Sequence, residues 1–218
     1  MYRLFWQWSW SVALVSGLLC LSGCGTSDDR KFAAAVEKVK AGQTDTLDAR
    51  DFPKIADKEL GLLVDVTKLR NLNLDEAPIT NEGLQSLANV TSLRTLSLSS
   101  TRVNDAGLAQ LKNLSGLEDL RLDGLHITDE GAAYLKNFPN LRKLSLYRTF
   151  VSNGAMAHVK KLALLEWLSL DETRVTDEGV KELKDSANLR YLSLWKTKVS
   201  DSALAELRKA LPSLKVNK

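Results

Sequence analysis

The sequence predicts an α/β solenoid, with parallel strands along one side of a stacked array and helices along the other. Two observations carry this. Leucines recur at 69, 93, 117, 141, 165 and 189, a step of 24 residues with no drift. Each copy also repeats an L-x-x-L-x-L block, from Leu69, Leu72 and Leu74 through Leu189, Leu192 and Leu194. A fixed period in this range means that each copy is one unit too small to bury its own apolar face, so copies stack and share a core.

The strand comes first in each copy. Its leucines alternate inward while the intervening residues point outward. Three residues beyond the second strand leucine stand Ala77, Thr101, Leu125, Thr149, Thr173 and Thr197. Threonine can donate to and accept from buried loop backbone; Ala77 and Leu125 cannot, so a gap is expected there. Thr80, Asn104, Thr128, Ser152, Thr176 and Ser200 follow. All are helix N-cap types, and the acids after them suit the helix dipole. Capping thus accounts for "TDEG" without a calcium or catalytic acid site. A small residue comes next in every copy, from Gly83 to Ala203, and lets the helix approach the strand layer closely. Apolar residues at helical spacing, such as Leu84 and Leu87, complete the unit.

The pattern resembles the leucine-rich repeat, over about 145 residues. The resemblance implies a horseshoe with a parallel concave sheet and convex helices. Six repeats span 69–213, and a truncated last strand spans 214–218, where Lys215 and Lys218 protect an exposed edge. Residues 31–68 are expected to form an N-terminal cap. It comprises an amphipathic helix carrying Phe32, Val36 and Val39, then a degenerate repeat over 47–68. The "I/V-T-D-E-G-L" half is similar to repeats of F-box ubiquitin-ligase subunits, although no F-box precedes it.

The first residues read differently. Arg3 gives a short positive region, and Val12 to Leu21 is an apolar run of signal-peptide length. It ends in Leu21-Ser22-Gly23-Cys24, which resembles the bacterial lipobox. That resemblance makes 1–23 a lipoprotein signal peptide, Cys24 the lipidated first residue and 24–30 a short tether. It implies a protein of the bacterial cell envelope, anchored to a membrane by lipid. Gly25 after the cysteine points to the outer membrane rather than the inner.

Net charge is +3, from 30 basic and 27 acidic residues, with no single-sign run. Nothing there marks a nucleic-acid binder. Two cysteines, both near the N-terminus, give the repeats no disulfide framework. No phosphate loop, dinucleotide fingerprint or metalloprotease motif occurs, and His126 and His158 occupy different repeat positions. The expectation is no enzyme, no metal and no cofactor.

The outward strand positions form columns, because copies a whole period apart become neighbours about 4.8 Å apart. The first column is Asn71, Thr95, Asp119, Lys143, Trp167 and Tyr191. The middle one is Asn73, Ser97, Arg121, Ser145, Ser169 and Ser193, and the third Asp75, Ser99, Asp123, Tyr147, Asp171 and Trp195. The N-terminal half is polar. The C-terminal half sets Trp167 and Tyr191 against Tyr147 and Trp195, with Ser145, Ser169 and Ser193 expected as the floor of a slot. Lys143, Arg148 and Asp171 supply charges around it. Large apolar groups on a polar face mark a contact surface. The expected role is therefore a monomeric binding module for a protein, peptide or glycan. The alternatives are an F-box-like adaptor, or a structural envelope protein whose aromatics only pack on one another.

Overall fold

The computed structural model describes residues 27–218. The expected signal peptide, Cys24 and the first residues of the expected tether lie outside the described residues.

Helix α1 (Ser27–Lys40) opens the described chain. Asp28 and Asp29 stand in its first turn and Lys38 and Lys40 in its last, each favourable to the dipole. The helix thus starts four residues before the expected cap, and Ser27 to Arg30 are helical rather than tether. Its buried face is Phe32, Val36 and Val39, at i, i+4 and i+7. Phe32 meets Phe52 edge-on, with ring centroids 5.4 Å apart. Gly42, at φ 75°, turns the chain out of the helix.

Eight parallel strands follow in sequence order in one sheet: β1 (Thr46–Asp48), β2 (Asn71–Asn73), β3 (Thr95–Ser97), β4 (Asp119–Arg121), β5 (Lys143–Ser145), β6 (Trp167–Ser169), β7 (Tyr191–Ser193) and β8 (Lys215–Asn217). The register is 24 residues from β2 to β8. The degenerate repeat supplies β1, which pairs Leu47 with Leu72 at a step of 25. Helices α2 (Asp57–Leu60), α3 (Asn81–Leu87), α4 (Asp105–Gln110), α5 (Asp129–Ala132), α6 (Asn153–Val159), α7 (Asp177–Lys181) and α8 (Asp201–Ala210) form the other layer. The repeat leucines fill the space between: Leu96, Leu120, Leu144, Leu168 and Leu192 are fully buried, and each such side chain contributes roughly 1.5–3 kcal/mol. This is the leucine-rich-repeat solenoid expected from the period.

The strands are three residues long, shorter than the five-position pattern. A left-handed residue follows each of β2 to β7, three residues on: Glu76, Ser100, Gly124, Arg148, Glu172 and Lys196 have φ between 52° and 71°. The third outward column therefore lies on the turn just after each strand. Coil-to-coil backbone bonds continue through that turn, as in Glu76 N–H to Ser99 O at 2.9 Å.

Beyond the turn, Thr101, Thr149, Thr173 and Thr197 donate their hydroxyls to the carbonyl three residues back in their own turn, at 2.6–2.8 Å. Ala77 and Leu125 make only the backbone bond there, to Leu74 O and Leu122 O. The threonines close their own coil rather than link neighbours.

The links between coils lie at the helix starts. Asp57 accepts the N–H and hydroxyl of Thr80 at 2.8 and 2.6 Å. Asp105 accepts those of Thr128 at 2.9 and 2.7 Å, and Asp177 those of Ser200 at 2.6 and 2.7 Å. Asp129 does the same for Ser152, while Asn81 and Asn153 exchange bonds with Asn104 and Thr176. This ladder explains the small residues. A Cβ on Gly83, Gly107, Gly131 or Gly179 would sit 2.0–2.5 Å from the preceding coil's Asp or Asn oxygen. The close approach is to the neighbouring helix start, not to the strand layer. The two exceptions, Ala155 and Ala203, both follow a serine N-cap. Own-helix capping is less regular than expected: Ser152 and Thr176 make no side-chain cap bond.

Candidate binding surface on the concave face

Strands β5 to β7 align Lys143, Trp167 and Tyr191 as direct neighbours in one column. Trp167 and Tyr191 stack parallel and offset, with centroids 5.8 Å apart and planes 2° from parallel. Both are half-buried, whereas Lys143 is exposed.

Across the sheet, Tyr147 and Trp195 stand on the turns after β5 and β7, with Asp171 on the turn between them. A carboxylate of the preceding coil holds each aromatic's backbone. Asp123 accepts the N–H of Tyr147 at 3.2 Å, and Asp171 accepts that of Trp195 at 2.5 Å. Arg148 and Lys196, the left-handed residues that follow, fold back over these rings. Lys196 Nζ lies 3.9 Å from the Trp195 centroid, and the Arg148 guanidinium 5.9 Å from that of Tyr147. Glu172 joins both cations, at 2.9 Å to Lys196 and 3.6 Å to Arg148. Trp195 nonetheless remains 45% exposed.

Between the aromatic columns the open floor expected of Ser145, Ser169 and Ser193 is not there. All three are at most 5% exposed. Their hydroxyls are engaged: Ser145 donates to Asp123, Ser169 donates to Asp171 at 3.1 Å, and Ser193 accepts from Asn217 at 3.1 Å. The aromatics are not the cause, since Ser97, between Thr95 and Ser99, is equally buried in the same column. The face is thus two raised aromatic margins with a closed polar seam between.

Asp123 is the group that sequence reasoning left unassigned. Burial pushes its carboxyl above the ordinary aspartate value, against hydrogen bonds from Ser145, Tyr147 and Ser99 that favour the charged form. The signal was present: aspartate stands at every second place in the third column, as Asp75, Asp123 and Asp171. Asp75 makes the same bracket, accepting the Ser97 hydroxyl and the Ser99 N–H at 2.5 and 2.8 Å.

Among the described residues no group of three or more His, Cys, Asp or Glu side chains is placed to hold a metal ion. His126 stacks on Phe150 at 5.1 Å, away from His158 on α6. No helix of the described residues is long and apolar enough to cross a membrane.

A family model described as "Leucine Rich repeat" matches residues 67–88 and 91–111. Among solved structures, internalin C2 from Listeria monocytogenes is similar over 85% of this chain and 92% of its own, at 24% identity and a TM-score of 0.65. A second internalin of that species, inlF, is similar over 84% of this chain and 63% of its own, at 20% identity and a TM-score of 0.51. At such identities the likeness is one of fold. No curated protein sequence matches the chain.

Proposed function

From the premise that this chain is a leucine-rich-repeat protein, we propose that it is a non-catalytic binding module, whose concave face over β5 to β7 takes a protein or peptide partner. One observation carries this reading. Trp195 stays 45% exposed beside half-buried Trp167, Tyr191 and Tyr147, on a face otherwise lined by polar residues. Ring availability favours protein over glycan. A sugar stacks on a bare aromatic face, but Trp167 and Tyr191 cover each other and Lys196 covers Trp195. The accessible edges, cations and carboxylates suit the mixed chemistry of a protein surface.

The lipobox resemblance at Cys24 adds display on a bacterial membrane to this reading. Two acyl chains on one cysteine would hold the domain there, and many displayed copies would raise avidity. Loss of labelled palmitate on Cys24→Ser tests the anchor separately.

The stacked pair and the Lys196 contact favour a second reading, in which the aromatics stabilise the sheet alone. A photo-crosslinking residue at 195, compared with one at 112 after α4, separates the two. The binding reading expects a discrete crosslinked partner from position 195 only, lost on Trp167→Ser with the melting point retained. Equal, diffuse labelling from both positions, with a large fall in stability for Trp167→Ser, would leave only the structural reading.

A further inference from the structure

A second row of side chains runs along the lip of the horseshoe, two residues beyond each left-handed turn from Ser100 to Lys196. It consists of Arg102, His126, Phe150, Arg174 and Lys198, every one exposed. Backbone bonds hold the row in step from coil to coil: Phe150 N–H to Ile127 O at 2.8 Å and Arg174 N–H to Val151 O at 3.0 Å. Phe150 is 41% exposed. Its ring stacks on His126 and lies 5.1 Å from the Arg174 guanidinium.

Some exposed cations elsewhere meet carboxylates of the next coil, as in Arg142–Glu166 and Lys160–Glu182. Arg102, Arg174 and Lys198 form no ion pair among the described residues. The adjacent turn column adds Arg148 and Lys196, which share the one carboxylate of Glu172. The sequence hides this cluster, because its members are 24 residues apart and form no run.

We propose that this lip is a second contact surface, for an extended acidic peptide segment lying across the coils. In an extended chain, side chains on one face recur about every 6.7 Å. Coils rise about 4.8 Å, so flexible Arg and Lys heads can meet alternate acidic residues along such a segment. Phe150 offers an apolar contact in mid-row. A dense polyanion fits less well. A depression of about 550 Å³ beside Phe150 is walled on its helix side by Asp105, Asp129 and Glu130, which repel continuous negative charge. The inference does not depend on the concave-face reading.

The test is fluorescence anisotropy on the full chain. The probe is a labelled decapeptide that alternates glutamate and glycine around one central phenylalanine. Binding is expected at low salt, weakening as salt rises. Arg174→Glu combined with Lys198→Glu should reduce affinity at least tenfold, and Phe150→Ser several-fold. Lys112→Glu should leave affinity unchanged. All four side chains substituted at the lip or after α4 are exposed, so melting points should match the parent. Three results would overturn the proposal: equal binding of a lysine-for-glutamate peptide, indifference to the Arg174 and Lys198 changes, or binding of heparin with none of the peptide. The last would make the lip a polysaccharide surface.

Discussion

Asp105 and Thr128 are joined twice: the Thr128 N–H reaches one carboxylate oxygen at 2.9 Å and its hydroxyl the other at 2.7 Å. The bond crosses from one coil to the next. Asp105→Ala should therefore destabilise the fold by about 2 kcal/mol, the range for hydrogen bonds to a charged group. Asp105→Asn should cost under about 1 kcal/mol, since one acceptor remains and asparagine fills the equivalent places at 81 and 153. Urea titration of the two variants checks this. Equal losses would show that the charge, not the double acceptance, matters.

Gly131 lies under the same carboxylate, where an added Cβ would come within 2.0 Å of Asp105 Oδ1. Gly131→Ala should cost about 1–3 kcal/mol by overpacking. The cost should shrink when Asp105 is also alanine. Strict additivity in that double-mutant cycle would mean that some other contact sets the limit.

The left-handed turns give a third test. Ser100 has φ 58° and Gly124 φ 71° at the same repeat position. An L-residue in that region is disfavoured by roughly 1–2 kcal/mol, partly offset by the greater chain entropy of glycine. Ser100→Gly should raise the melting temperature slightly, and Gly124→Ala should lower it.

Asp123 should make the protein's stability respond to pH in a direction opposite to most of its shifted acids. Its folded pKa is raised by burial. The native state therefore binds more protons than the unfolded chain above the ordinary aspartate value near 3.8. Stability from this group is gained as pH falls through the raised folded value and lost as pH rises through it. Asp48, Asp177 and Asp201 are lowered chiefly by hydrogen bonds, from Arg50, Ser200 and Lys218 respectively, and have the opposite sign. Asp123→Asn should thus gain on the parent protein at neutral pH, with the difference closing as pH falls toward 3.8. A difference that widened on acidification would refute the assignment.

Much of this was legible in the chain. The leucine period dictated the fold, and the outward columns predicted which aromatics become neighbours, as the Trp167–Tyr191 register shows. Three features were not legible. The burial of Ser145, Ser169 and Ser193 comes with hydrogen bonds of their short side chains to Asp123, Asp171 and Asn217, which alternation does not encode. The Asp57-to-Asp177 ladder reads in sequence as capping of each helix by its own cap. Only the coil spacing reveals that each carboxylate reaches the next coil. The unpaired cations of the lip are scattered along the chain and meet only once it is wound.

The Asp75 and Asp123 brackets have a consequence for how this array can change length. The helix-side links recur in every coil, but these brackets stand 48 residues apart, and Asp171, a further 48 on, keeps only the backbone half, to the Trp195 N–H. Along its inner margin the molecule is a string of dimeric modules. Excising residues 93–140 would bring Asp75 to the place of Asp123, ready to grip Ser145 and Tyr147. Excising 117–140 alone would leave Ser145 and the Tyr147 N–H without a carboxylate. The shorter protein should then melt higher than the longer one, the reverse of what chain length by itself would give.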